Sequence, residues 1–107
     1  MAEFTGQTII ITGASEGIGR ALALALAPQR LKLVLAARNA ERLAELKQDV
    51  EALGAEALDL PTDVTDEAAC KHLIDAAVDA FGGVDVLINN AGGTMWTLLE
   101  DIEDTSI

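Results

Sequence analysis

The 107 residues leave room for one modest domain, and a composition that is 50% hydrophobic can fill a core, which excludes a disordered or fibrous protein. A formal net charge of −11, interrupted by no basic cluster, argues against nucleic acid and anionic membrane surfaces as partners. The single cysteine, Cys70, excludes an internal disulfide; no apolar run approaches the ~20 residues of a bilayer span, and Met1-Ala2-Glu3-Phe4 lacks the parts of a signal peptide, so a soluble, cytoplasmic protein is expected.

Thr8 to Thr12 is a short isoleucine-rich run of the kind that suits a strand buried on both faces. Three glycines, Gly13, Gly17 and Gly19, follow it, and then Ile18, Ala21, Leu22, Ala25 and Leu26 recur at helical spacing until Pro28, which predicts a helix over 17–27. Leu31 to Ala36 reads as a second strand. Asn39 offers a side-chain oxygen to cap a second helix, whose stripe is Leu43, Leu46, Val50 and Leu53 and whose stop is Gly54. Ala55 to Leu60 is a weaker third strand closed by Pro61. Thr65 is the expected cap of a third helix with Cys70, Leu73, Ile74, Ala77 and Phe81 inward, and Asp66 and Glu67 suit its positive end. Gly82-Gly83 breaks that helix before a fourth strand, Val84 to Ile88, which stops at the turn formers Asn89-Asn90-Ala91-Gly92-Gly93.

Strands alternating with helices long enough to cross over call for parallel strands in right-handed units with helices on both faces, an α/β doubly wound sheet. No linker, repeat or low-complexity tract divides residues 1–93, and Thr94 to Ile107 reads as a loop with no strand signal. Where a strand feeds a glycine turn and a helix, free backbone amides and the positive helix end converge on one point, the place where a pyrophosphate is stabilised. Gly13 permits the tight turn, Gly17 lets a phosphate approach the backbone, and Gly19 lets the helix lie close on the strand, so a Cβ at any of them is expected to intrude. A glycine pattern alone also serves a purely structural turn; the strand, the helix and the alternating units around it favour nucleotide binding.

Thr12-Gly13-Ala14-Ser15-Glu16-Gly17-Ile18-Gly19, Asp63-Val64 and Asn89-Asn90-Ala91-Gly92, in this order and spacing, resemble the short-chain dehydrogenase/reductase family in its classical form, a resemblance covering residues 5–107. It implies a Rossmann sheet, truncated here after the fourth strand, a nicotinamide dinucleotide cofactor, and hydride transfer between that cofactor and a small-molecule carbonyl or alcohol. The cofactor-binding residues it implies are Gly13, Ser15, Glu16, Gly17, Ile18, Gly19, Arg38, Asp63, Val64, Asn90, Ala91 and Gly92. NAD sites place an acid at the end of the second strand for the ribose hydroxyls, whereas a 2′-phosphate needs a cation there. Ala37 and Arg38 hold that end, and the arginine's planar fork matches phosphate oxygens, which favours NADP(H) over NAD(H). Ser15 is implied to add a hydroxyl to the same phosphate, while Glu16 in the same loop opposes it. For Asp63, acceptance from the adenine amino group competes with a plain helix-start role, and the resemblance tips it toward adenine, with Val64 bordering the ring. Asn89 is expected to tie strands together, with Asn90, Ala91 and Gly92 nearer the cofactor.

His72 has no second histidine to form a metal site with, so no metal is expected, and Cys70 reads as a small core residue. Trp96 suits either the substrate side or a cover over the sheet end. The family works with a tyrosine and a lysine four residues later, and the chain contains no tyrosine. No catalytic residue can be assigned, and the sequence reads as the cofactor-binding portion of a single-domain oxidoreductase whose catalytic half is absent, inactive alone, marginally stable and prone to self-association through an open fourth strand. The family also implies a subunit interface, so a homo-oligomer stays open. The alternative is a non-catalytic dinucleotide-binding module; a methyltransferase-like domain would need an acid where Ala37-Arg38 stands.

Overall fold

A computed structural model of the chain describes residues 5–90. Within them the chain runs through β1 (Thr8–Thr12), α1 (Gly17–Leu26), a 3-10 turn (Ala27–Gln29), β2 (Lys32–Ala37), α2 (Ala40–Ala52), β3 (Glu56–Pro61), α3 (Glu67–Phe81) and β4 (Val86–Asn89). The strands form one sheet in the order β3-β2-β1-β4, and every neighbouring pair is parallel. This is the doubly wound arrangement expected from the alternation of elements.

The isoleucine run of β1 is explained by what covers it. Successive strand side chains point to opposite faces. Ile9 and Ile11 join Leu33 and Leu35 of β2 beneath α1 and α2, in a cluster with Ala23, Leu43, Leu46 and Val50. Ile10 joins Val34 and Ala36 on the other face, against Cys70, Leu73, Ile74 and Ala77 of α3. Both faces are dry, so all five residues of β1 are buried. Each fully buried Ile or Leu stabilises the fold by about 1.5–3 kcal/mol, against about 1 kcal/mol for a helix cap, so the two clusters, and not the helix ends, hold the sheet together.

Helix faces and ends depart from the sequence pattern in places where tertiary contact overrides local signals. In α1 the buried residues are Gly19 and Ala23, with Leu22, Leu24 and Leu26 partly covered, while Ile18 is 70% exposed and Ala21 and Ala25 face outward. The contact face is set by Gly19, whose missing side chain lets the helix lie against β1's end. The helix stops at Leu26 and tightens into the 3-10 turn that contains Pro28, and Arg30 then takes a left-handed φ of 57°. In α2, Asn39 caps as expected by accepting from the Arg42 N–H at 3.1 Å, but Leu53 lies past the last turn and is 47% exposed.

The cap of α3 is Asp66, not Thr65: its Oδ1 accepts from the N–H groups of Ala68 at 3.0 Å and Ala69 at 3.5 Å. A carboxylate one residue later outcompetes the hydroxyl because it carries a full charge at the positive helix end. Gly82 closes α3 in the left-handed region, φ 85°, as its position after the apolar stripe predicts. The fourth strand begins at Val86 and not Val84, because Asp85 still belongs to the lead-in: its N–H donates to Thr8 O at 2.9 Å and its carboxylate accepts from Thr8 N–H at 2.7 Å.

Candidate functional site

Three connections meet at the carboxyl end of the sheet, and two backbone hydrogen bonds register them. The Ala14 N–H, just past β1, donates to Ala36 O of β2 at 3.0 Å, and the Thr62 N–H, just past β3, donates to Ala37 O at 2.8 Å. The strand ends are thereby level. Between them lies a cleft of about 400 Å³ lined by Gly13, Ser15, Glu16, Ala37, Arg38, Asn39, Thr62, Val64 and Thr65. In a doubly wound sheet this edge, outside the carboxyl ends of the strands, is where ligands sit.

The glycine corner forms one wall. Gly13 takes φ 63° and faces Asn90: a Cβ there would come within 2.9 Å of Asn90 Nδ2, which donates to Gly13 O at 3.4 Å. Gly19 is tighter still, since a Cβ would stand 2.2 Å from Gly13 O and 2.8 Å from Gly13 C. Gly17 differs from the expectation that any Cβ would intrude, because nothing lies within 4 Å of one; what requires glycine is its φ of 61°. The space beside Gly17 is open. Moreover, α1 has no side-chain cap, whereas α2 and α3 are capped by Asn39 and Asp66. The first-turn amides of α1 therefore lack the side-chain acceptor that the other two helices have, next to open space, which is a cradle suited to an anion.

Arg38 lines the same cleft and is 72% exposed, but its fork is not free: Nη2 donates to Asp63 Oδ1 at 3.0 Å. That same oxygen accepts from Thr65 N–H at 2.9 Å and Thr65 Oγ1 at 2.6 Å. The Thr65 hydroxyl, then the Thr65 amide, then the Arg38 guanidinium hold the Asp63 carboxyl down, from an ordinary 3.8 to about 2. Asp63 is an anion throughout the physiological range.

Glu16, expected to repel a phosphate, is paired with an arginine the sequence did not flag: Arg42 Nη1 lies 2.7 Å from Glu16 Oε2. A second cleft, about 220 Å³, adjoins the first and is lined by Ser15, Glu16, Gly17, Arg20, Arg42 and Glu45. Arg42 lies on the first turn of α2, whereas Arg38 precedes the helix cap Asn39; the contact from Arg42 to Glu16 crosses from α2 to the glycine corner and is not visible along the chain. Thr62, Thr65 and Asn39 also line the cleft that contains Arg38, a role that their turn and cap positions in the sequence do not indicate.

Among the remaining predicted residues, Asn89 ties strands as expected, its Oδ1 accepting from Thr12 Oγ1 at 3.1 Å. Ile18 lies exposed on the first turn of α1. Ala91, Gly92 and Trp96 lie outside the described residues. Cys70 is buried, its Sγ donating to Val64 O at 3.4 Å, and burial first, then Asp66, Asp63 and Glu67, push its thiol upward, so it stays a protonated core side chain. His72 is exposed on α3. Among the described residues no cluster of three or more His, Cys, Asp or Glu could hold a metal, and no helix is long and apolar enough to cross a membrane.

A parallel sheet wound on both faces, opened at its carboxyl edge by a glycine corner between β1 and α1, defines the Rossmann-type class of proteins. The short chain dehydrogenase family model matches residues 7–107, and the chain belongs to that family. It is 41% identical over 105 residues to an 11-beta-hydroxysteroid dehydrogenase of Pinus massoniana, covering 97% of this chain and 30% of that protein. Among solved structures, the NADH-dependent reductase A1-R′ complexed with NAD superposes with a TM-score of 0.78 at 38% identity, over 86% of this chain and 38% of that one. A short chain dehydrogenase/reductase from Burkholderia phymatum in complex with NAD gives 0.76 at 44% identity, over 81% and 31%. The chain thus spans about a third of the length of these relatives.

Proposed function

We propose that the chain is the cofactor-binding part of a short-chain oxidoreductase that uses NADP(H) to interconvert a carbonyl and an alcohol. The observation that carries this reading is the shared cleft: Gly13, Ser15 and Glu16 of the uncapped corner line one cavity with Arg38, and Gly17, with open space beside it, lines the cleft that adjoins it. The residues fit a dinucleotide: backbone amides at the corner for the pyrophosphate, Thr62, Asp63 and Val64 for the adenine, and Ser15 with Arg38 for a 2′-phosphate. The NAD-bound relatives support a nicotinamide dinucleotide in general. The choice of NADP(H) rests on this chain alone, on Arg38 in the cleft and on Ala37 where an NAD site carries an acid.

When bound, the nicotinamide would exchange a hydride with the substrate carbon while a proton moves to or from its oxygen. The residues of this chain bind and orient. The 107 residues contain no tyrosine, the proton donor that the family resemblance implies, so proton transfer falls to groups beyond them or does not occur. Tyr-x-x-x-Lys encoded downstream in the same reading frame supports the oxidoreductase, and its absence favours a binding module.

Fluorescence titration of this chain with NADPH and NADH tests the cofactor. NADPH is expected to bind more tightly, and Arg38→Ala to weaken NADPH by about tenfold, the loss of a charge-assisted hydrogen bond, with NADH little changed. Equal affinities overturn the NADP(H) preference, and no binding of either overturns the dinucleotide reading.

A further inference from the structure

The two arginines near the phosphate-reading end of the site both carry an intramolecular carboxylate. Arg38 is held by Asp63 at 3.0 Å and Arg42 by Glu16 at 2.7 Å. Ser15 and Glu16 line both clefts, so they form the partition between the one that contains Arg38 and the one that contains Arg42. Both arginines are placed at the start of α2: Asn39, which follows Arg38, fixes the first turn of that helix by accepting from the backbone N–H of Arg42. A phosphate group seated against Ser15 therefore has Arg38 on one side, and on the other a guanidinium already occupied by Glu16.

The Glu16–Arg42 pair is exposed at both ends, 75% and 54%, and such pairs are weakly held. A phosphate dianion carries more charge and more acceptor oxygens than a carboxylate, so it can take over a donor from Glu16. We propose that Arg42 is a second cation for the 2′-phosphate and that Glu16, by occupying it, sets how strongly the chain prefers the phosphorylated dinucleotide. This rests on the dinucleotide reading of the cleft and adds to it two specificity-determining residues, one cation and its internal competitor. Glu16 acts by competition for a donor. A bare negative charge in the loop would repel phosphate with or without Arg42.

The test uses small probes that report the adenosine end alone: adenosine 2′,5′-bisphosphate against adenosine 5′-monophosphate, titrated calorimetrically into the chain. Glu16→Gln is expected to raise affinity for the bisphosphate by about three- to tenfold and to leave the monophosphate within about twofold, and Arg42→Ala to lower the bisphosphate by a similar factor. In the Arg42→Ala background the gain from Glu16→Gln is expected to shrink to less than about twofold, because there is no donor left to release. Glu45→Gln removes a carboxylate from the same second cleft without touching the pair, and is expected to change the ratio less than Glu16→Gln does. All three positions are surface side chains, and unchanged circular-dichroism melts establish that the variants fold. An equal gain from Glu16→Gln in both backgrounds, an equal effect of Glu45→Gln, or an Arg42→Ala variant with wild-type affinity overturns the proposal while the cofactor reading stands. If neither probe binds the wild-type chain, the cofactor reading falls and this inference with it.

Discussion

Gly17 and Gly19 stand two residues apart in the glycine corner and answer to different constraints. At Gly19 the obstacle is backbone: a Cβ would lie 2.2 Å from Gly13 O, which cannot swing aside as a side chain could. At Gly17 the obstacle is conformation, a φ of 61° with empty space around it. Gly19→Ala is therefore expected to destabilise the chain by about 2–3 kcal/mol, as overpacking against fixed atoms does, and Gly17→Ala by about 1–2 kcal/mol, the cost of a side chain in the left-handed region. Urea denaturation of both variants measures the order, and Gly17→Ala proving the worse of the two contradicts it. Gly17→Ala should in addition weaken cofactor binding, since its methyl enters the space where the phosphate is proposed to approach.

At the scale of the element, the turn before α3 shows two neighbouring side chains dividing two tasks. Asp66 caps the helix and Thr65 bonds Asp63. Asp66→Ala is expected to cost about 1 kcal/mol at neutral pH, the usual loss of an N-cap. Thr65→Ala acts through Asp63 and so appears in the pH profile. The Asp63 pKa is about 2 in the folded chain and 3.8 ordinarily, so the folded state binds that proton less readily than the unfolded state. Its contribution is complete above 3.8 and is lost as pH falls through about 2. Asp63→Asn should remove this part of the acid limb, and Thr65→Ala should narrow its window by letting the carboxyl rise. Thermal melts between neutral pH and the acid limb measure it; an acid limb in Asp63→Asn identical to the wild type's refutes the assignment.

At the scale of the whole molecule, burial is graded across the sheet. All of β1 and nearly all of β2 are buried, whereas β3 and β4, at the two edges of the order β3-β2-β1-β4, are only partly covered. Local opening follows burial. Native-state hydrogen exchange is expected to be slowest for the amides of β1 and β2 and faster in β4, where Asp85 and Asn89 tie the strand to Thr8 and Thr12 at its two ends. Asp85→Ala should quicken exchange in β4 and leave β2 unchanged. Uniform protection across the strands would contradict the gradient.

The amino-acid sequence by itself determined the parallel doubly wound sheet and the glycine corner, because both are written in short-range signals: isoleucine runs too apolar for a wet face, helix stripes, and glycines at a strand-to-helix turn; the family was legible in the order and spacing of three motifs. The strand order β3-β2-β1-β4 came from the folded sheet. Asn39 starts α2 and Gly82 ends α3 where propensity alone places those boundaries. The inward face of α1 was decided by tertiary structure, since the close approach of Gly19 to Gly13 outweighs the position of Ile18 in the stripe. So were the pairings Arg38–Asp63 and Glu16–Arg42, which join residues 25 and 26 positions apart. Charges on separate loops carry no periodicity that names their partners. They meet because the bonds from Ala14 to Ala36 and from Thr62 to Ala37 level the strand ends, and only the folded sheet supplies those bonds.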